Sequence, residues 1–445
     1  MKTPIVDFVK NYADSNSVRL HMPGHKGNGK LGFEKIDITE IEGADVLYSA
    51  DGIIAQSQQN AATLFESCKT LYSTEGSSLC IRAMLYLVKC FALQSGKKPF
   101  IASGRNAHKT FVTACGLLDI DVEWLLPTNV ETIISCCITA DYLKEYLSAA
   151  KQMPTAVYIT NPDYLGNMVD IAEISKVCKQ YNVLLIVDNA HGAYLKFLPD
   201  DKHPIALGAD MCCDSAHKTL PVLTGGAYLH LSNNAPNLFI ENAQNAMSIF
   251  ASTSPSYIIL QSLDGANRYI YEGYKEKLAF FVKRVAELKK VLTNKGYNLC
   301  GDEALKITIH AKPYGYTGQE LSQILANKNI ICEFCDPDYI VFMLSPEMHN
   351  DIEKLQKALL DIEPKEKIKN KAPTPSLKNK KNSFAQVLYA QKEKLPIEKC
   401  QGKISGSVDA ICPPAIPVIL PGEEIDADAI HSLKYYGIEE WVVLK

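Results

Sequence analysis

Residues 155–188 constrain the fold more than any other stretch. Thr155–Thr160 is a short apolar and β-branched run, and Asn161–Gly166 is dense in turn formers. Asp170–Tyr181 repeats its apolar positions at helical spacing, and Val183–Asp188 is a second apolar run that ends in an acid. Strand, helix and strand in that order make a β-α-β unit, which closes as two parallel strands with a right-handed crossover. A parallel strand is buried on both faces and reads as a continuous apolar run. An acid at its carboxyl end therefore stands at the sheet edge where such folds bind ligands.

Further along stands Lys218, in the segment Ser215–Lys218, followed by Pro221 and the Gly225–Gly226 pair. Ser, His and Lys are ordinary loop residues, so the segment gains its meaning from Asp188. A strand-end acid and a lysine on a later loop are what a pyridoxal-phosphate (PLP) site needs. The lysine forms the Schiff base, and the acid holds a proton on the pyridine nitrogen so that the ring can take up electrons.

With 445 residues, 47% of them hydrophobic, the chain can bury a large core and suggests two or three domains. A formal net charge of −4 gives nucleic-acid binding no electrostatic support. The first residues, Met1–Phe8, lack an apolar signal region, and no apolar stretch reads as long enough to span a bilayer. The 14 cysteines are scattered, with adjacent pairs at Cys136–Cys137 and Cys212–Cys213. Adjacent pairs suit neither a disulfide framework nor a zinc cage, so reduced thiols in a cytoplasm are expected and no metal is expected. Cys332 and Cys335 form one CxxC in an apolar, strand-like run, which reads as structural.

Taken in order, residues 1–70 read as an arm with short elements. His21 and His25 are separated by Pro23 and Gly24, so they do not share a helix face. Asp37, Glu40, Glu42 and Asp45 form an acidic stretch, either a solvated loop or a patch that meets a cationic substrate. From residue 71 strand and helix signals alternate, as in a parallel sheet with crossover helices. Thr74–Ser78 opens a periodic run over Leu79–Leu93, and Ser77 and Ser78 at such a helix start suit an anion. Pro99–Ser103 reads as a strand that leads into Arg105–Lys109 and His108. Gly226–Leu231 reads as a further, antiparallel strand.

The hydroxyl-rich loop Ser252–Tyr257, with Thr253, opens a helical stretch expected to run through Leu292. Residues 296–360 read as a compact α/β unit: strand Lys306–His310, helix Gly318–Ala326, strand Tyr339–Leu344 and helix Ile352–Leu360. Residues 363–382 are dense in Lys, Pro and Asn and read as an exposed linker. The four prolines at 413, 414, 417 and 421 rule out a regular helix there. The expected organisation is an arm at 1–70, a large domain at 71–292, a small α/β domain at 293–362, the linker, and a C-terminal domain at 383–445.

Together His21–Gly27, Gly43–Asp45, Gly76–Ser78, Arg105–Lys109, Asp188–Gly192, Ser215–Lys218, Ser252–Tyr257, Pro413–Pro417 and Pro421–Glu423 resemble the Orn/Lys/Arg decarboxylase family in order and spacing. The resemblance runs over nearly the whole chain and is to the short form, without the N-terminal receiver-like domain. It implies an α/β fold: a fold-type-I PLP-dependent large domain with a mainly parallel sheet, a smaller α/β domain and a C-terminal domain. It also implies decarboxylation of arginine, lysine or ornithine to an amine and carbon dioxide, and a cytoplasmic homodimer with shared active sites.

By the same resemblance Lys218 is the Schiff-base lysine, Asp188 partners the pyridine nitrogen and His108 stacks on the ring. Ser77, Ser78 and Ser215 hold the phosphate. His217 binds phosphate or assists proton transfer, and His191 approaches the ring or its phenolic oxygen. Thr253 reaches the phosphate of the neighbouring subunit. Asp45, Glu42 and Glu423 are candidates for the substrate's distal cation. Two places depart from the family's pattern: Cys412 and Ala415 flank the Pro-Pro pair where Tyr and Gly are usual, and Asp163 stands before Tyr164 where Thr is usual. Two other readings stay open, a transaminase or aldolase on the same scaffold and a catalytically silent regulatory relative.

Overall fold

A computed structural model describes residues 1–127, 131–348, 350–374, 376–407 and 415–445. The chain opens with α1 (Pro4–Asp14) and α2 (Ile53–Phe65), so the segment before residue 70 holds two regular helices. Then follow β1 (Lys69–Ser73), α3 (Gly76–Gln94), β2 (Phe100–Gly104), α4 (Lys109–Leu118), β3 (Asp121–Leu125), α5 (Ala140–Ala149) and β4 (Ala156–Thr160). Next come α6 (Ile171–Gln180), β5 (Leu184–Asp188), β6 (Met211–Asp214), the one-turn α7 (Ala216–Thr219) and β7 (Ala227–Leu231). Three longer helices complete this part: α8 (Asn237–Phe250), α9 (Tyr257–Tyr269) and α10 (Lys275–Lys295).

These strands form a seven-stranded sheet in the order β1-β7-β6-β5-β4-β2-β3. Pairs β2–β3, β2–β4 and β5–β6 are parallel, and β7 runs antiparallel to both β6 and β1. The sheet is thus mainly parallel, and the sequence reading of β7 as antiparallel holds. By compactness the chain divides into Met1–Lys97 with Ile171–Leu278, and Lys98–Asp170 with Ala279–Lys445.

In the first unit α3 is the central core helix. Leu79, Met84, Leu85, Leu87 and Val88 are each fully buried. By length and composition alone α3 could cross a membrane, which departs from the sequence expectation. The difference has a physical reason: α3 packs on α8 and on strands β6 and β7, so its apolar residues meet protein on more than one side. Gly96, at φ +66°, ends it, with Lys97 N–H bonded to the Ala92 carbonyl. Helix α1 starts at Pro4 and buries Ile5 and Val9. The Asp264 carboxylate of α9 accepts from the free Ile5 and Val6 amides at 2.9 and 3.0 Å.

The helical stretch expected from Tyr257 to Leu292 is not continuous. Glu272 (φ −95°, ψ 33°) and Gly273 (φ 110°, ψ 18°) break it between α9 and α10. Only glycine adopts such a φ without steric cost, so Gly273 sets the kink.

The second unit adds β8 (Asn298–Cys300), β9 (Lys306–His310), α11 (Gly318–Ala326), β10 (Phe334–Cys335), β11 (Tyr339–Met343) and α12 (Asp351–Leu360). Its four strands form an antiparallel sheet in the order β10-β11-β9-β8. Thr317 and Glu320 form a full capping box at the start of α11. A short helix, α13 (Phe384–Tyr389), a last helix, α14 (Ala427–Tyr435), and the antiparallel pair β12 (Lys392–Pro396) and β13 (Glu440–Leu444) complete the chain. Residues 363–382 are mostly exposed. Cys332 and Cys335 are free thiols; the Cys332 Sγ lies 3.3 Å from the Ser322 Oγ, and burial pushes the Cys335 thiol up. Ile411–Pro414, with Cys412, lie outside the described residues.

Candidate active site

Strand β5 is buried on both faces from Leu185 to Asp188, and Asp188 stands at its end. Its Oδ1 accepts from the Ala190 amide at 3.2 Å and from the Cys213 thiol at 3.7 Å. The carboxylate is 2% exposed, so its direction is fixed by the backbone and by β6 rather than by solvent. The next residue, Asn189, donates to Asp214 Oδ1 at 2.7 Å and ties the end of β5 to the end of β6.

Ser215 follows β6 directly, and Lys218 lies one turn on in α7. The Lys218 Nζ stands 3.0 Å from His191 Nε2. A charged ammonium can only donate, so the imidazole Nε2 accepts from it. His217 lies beside Lys218 but is held differently: its Nδ1 and its backbone amide both donate to the Gly226 carbonyl, at 2.9 and 3.1 Å. A carbonyl can only accept, so Nδ1 carries the proton in the neutral ring. Burial pushes the imidazole below its ordinary range; the Gly226 bond opposes this and the nearby Lys218 cation adds to it.

The Ser215 Oγ donates to Ser77 Oγ at 2.9 Å, which joins the loop after β6 to the first turn of α3. The loop carrying Gly225 lies against the same turn, with Gly76 N–H bonded to the Gly225 carbonyl at 2.7 Å. Ser78 is in that first turn as well. Helix α3 is 19 residues long, so its aligned peptide dipoles favour an anion beside these hydroxyls. Thr253 is exposed on the loop between α8 and α9. That loop is tied to the start of α3 by Ser252 N–H donating to Glu75 Oε1 at 2.8 Å.

The first unit therefore brings Lys218 to His191 and Ser215 to Ser77, with Asp188 at the neighbouring strand end. His108 belongs to the second unit, at the N-cap of α4, where its Nδ1 accepts from the Thr110 amide at 3.1 Å. Arg105 explains the conformation of that motif: its guanidinium donates to the Pro417 and Val418 carbonyls at 3.0 and 3.1 Å, and Lys109 N–H donates to the Ala415 carbonyl at 2.8 Å.

The acidic residues named for a substrate cation have other partners. The Asp45 carboxylate accepts from the Gly52 and Ile54 amides, both at 2.9 Å, and so caps α2. Glu423 is 3% exposed and accepts from the Leu420 and Lys378 amides. Glu42 is exposed. Asp163 serves its own turn, accepting from the Ser135 hydroxyl and from the Asn167 amide and side chain, and burial pushes its carboxyl up. Reading the sequence missed Asn189 and Asp214. Asp214 precedes Ser215 at a strand end, the same signal that marked Asp188, but it was hidden inside a Cys-Cys-Asp run.

The sequence profile described as Orn/Lys/Arg decarboxylase, major domain, matches residues 3–309, and the profile of that family's C-terminal domain matches residues 363–441. The chain belongs to the Orn/Lys/Arg decarboxylase family. Among relatives of this family, the uncharacterised protein YaaO of Bacillus subtilis is 28% identical, over 97% of this chain and 94% of its own length. The arginine decarboxylase of Bacillus subtilis is 27% identical, over 97% of this chain and 93% of its own. The fold matches that of the constitutive lysine decarboxylase of Escherichia coli with a TM-score of 0.78 at 17% identity, covering all of this chain and 82% of that one.

Proposed function

We propose that this member of the Orn/Lys/Arg decarboxylase family is a PLP-dependent decarboxylase of a basic amino acid, arginine, lysine or ornithine. The observation that carries the reading is the Lys218–His191 contact beside a strand-end carboxylate and a hydroxyl-lined helix start. This donor set fits PLP: a lysine for its carbonyl carbon, an acid for its ring nitrogen, and Ser77, Ser78 and Ser215 with the α3 amides for its phosphate. When bound, PLP supplies the electron sink for the pair left behind by the departing carboxylate.

The chain's own residues do the rest. Asp188, held through Oδ1, keeps a proton on the ring nitrogen by charge pairing. His191 orients the Lys218 Nζ. His217 keeps its Nδ1–H on Gly226, so Nε2 of the neutral ring accepts a proton, and it donates to the phosphate only once the ring is protonated. His108 is assigned to the stacking face by resemblance to the family alone. Thr253 serves the site of a neighbouring copy, and the exposed Val18, Leu20 and Leu31 support a self-associating chain. A cytoplasmic setting and the domain boundaries at residues 70, 292, 362 and 382 belong to the same proposal.

The test is carbon dioxide release by PLP-loaded protein offered arginine, lysine and ornithine separately, with amine products identified. Release from one substrate, abolished by Lys218→Ala, is the expected result. Cofactor binding with product formation but no carbon dioxide would move the assignment to a transaminase or aldolase. No cofactor binding at all would make the chain a silent relative.

A further inference from the structure

Beneath the strand ends the first unit buries a second polar cluster, and strand alternation decides its members. Cys212 and Asp214 are two apart on β6, so they share one face of the sheet. In the antiparallel register His230 of β7 lies opposite Cys212, and Thr70 of β1 lies opposite His230. Four polar side chains thus gather on one face, and His203 joins them from the loop after β5. Cys212, Asp214, His203 and His230 are each 0% exposed.

Both imidazoles converge on a single oxygen. His203 Nε2 is 3.0 Å and His230 Nε2 is 3.3 Å from Asp214 Oδ2, and the three donor atoms lie within 4.8 Å of one another. Cys212 Sγ lies 3.9 Å from the same His203 Nε2. Around a tetrahedral zinc ion, donors bound at about 2.0–2.3 Å stand about 3.3–3.6 Å apart. The 3.0 and 3.3 Å separations are close to those values, and Cys212 lies outside this donor set. His230 Nε2 finds no well-aligned hydrogen-bond partner at its 3.3 Å distance, which argues against a simple donor–acceptor pair.

The outer partners are those that orient metal ligands. Thr70 Oγ1 is 2.8 Å from His230 Nδ1, and Asn189 Nδ2 is 2.7 Å from Asp214 Oδ1. Two imidazole nitrogens and one carboxylate oxygen suit a zinc-class ion and not magnesium or calcium, which take oxygen sets.

We propose that His203, Asp214 and His230 form a buried structural site for a zinc-class divalent cation. All three ligands are 0% exposed, so no substrate reaches the ion and its role is structural rather than catalytic. It fixes Asp214, which leads into Ser215, and through Asn189 the end of β5. The site rests on its own geometry and stands whether or not the chain is a decarboxylase.

The test uses full-length protein made without a metal-affinity tag. Elemental analysis should find about one zinc per chain. Protein unfolded in chelator and refolded with cobalt(II) should show d–d bands without a thiolate charge-transfer band. Cys212→Ser should keep the d–d bands. His203→Gln should weaken them. Zinc should also raise the melting temperature of the metal-free protein. Protein that refolds by circular dichroism yet holds no zinc and gives no cobalt bands overturns the proposal and leaves a hydrogen-bond network. A thiolate charge-transfer band in the unmodified protein overturns the ligand set of two histidines and one aspartate. If the variants do not fold, the metal content and cobalt spectrum of the unmodified chain still decide.

Discussion

Ser215 and Ser77 meet at 2.9 Å, so a phosphate placed there would be bonded by two hydroxyls already preorganised toward each other. A hydrogen bond to a charged group is worth about 1.5–3 kcal/mol. Ser215→Ala should therefore weaken PLP binding by about ten- to a hundred-fold, read by titrating the cofactor's visible absorption. Affinity unchanged within a factor of two would remove Ser215 from the phosphate site. A second residue-scale expectation concerns Lys306, whose Nζ is 2.8 Å from Glu303 Oε2 with both side chains 1% exposed. Lys306→Met removes the buried cation from beside that carboxylate and should cost about 3–5 kcal/mol in urea unfolding.

Among the elements, the turn at Gly225 is the most sensitive. Its φ is +99°, and a Cβ there would stand 2.8 Å from the Thr74 carbonyl. Gly225→Ala should push the start of α3 away from Ser215 and weaken cofactor binding more than it lowers the melting temperature. The docking of α1 on Asp264 carries a pH dependence. Burial, the largest cause, raises this carboxyl from 3.8 to about 6 in the folded chain. The folded state then holds the proton more firmly than the unfolded one. The stabilising contribution is complete below about pH 4 and is lost as pH rises through about 6. The swing is on the order of 2–3 kcal/mol. Comparing unfolding of the natural protein with Asp264→Asn between pH 4 and 7.5 should show a slope shallower in the variant, the remainder coming from other buried carboxyls such as Asp336.

Elements with an unbroken period were legible in the sequence. The β5–α6 unit, β9, α11 and α12 follow from apolar spacing and clear turn residues. Gly273 was not, because a glycine inside a helical pattern reads equally as a tolerated residue or a kink. Helix α8 was also passed over, although Phe239, Ala243, Ala246 and Met247 keep helical spacing. Of the candidate site, the residue types were legible and the contacts were not. Nothing local says that His191 lies against Lys218 or that Cys212 faces His230. Those facts belong to the register of β6 and β7, which no window of a single strand contains.

At the scale of the whole molecule, membership of the Orn/Lys/Arg decarboxylase family settles the fold, while the substrate rests on groups whose partners in this chain are mostly structural. Asp45 and Glu423, for example, already accept from backbone amides. The antiparallel pairing of β1 with β7 has a consequence for how the chain comes into being. Lys69 pairs with Leu231, so β1 has no sheet neighbour until that distant strand leaves the ribosome. At about 5–20 residues per second, the interval between the emergence of Lys97 and of Leu231 is on the order of ten seconds. Throughout it the apolar α3 has neither β6 nor β7 to cover it. The nascent chain therefore spends that time as a natural client for chaperones, and a slower or truncated synthesis should divert it to aggregates rather than to a partly folded product.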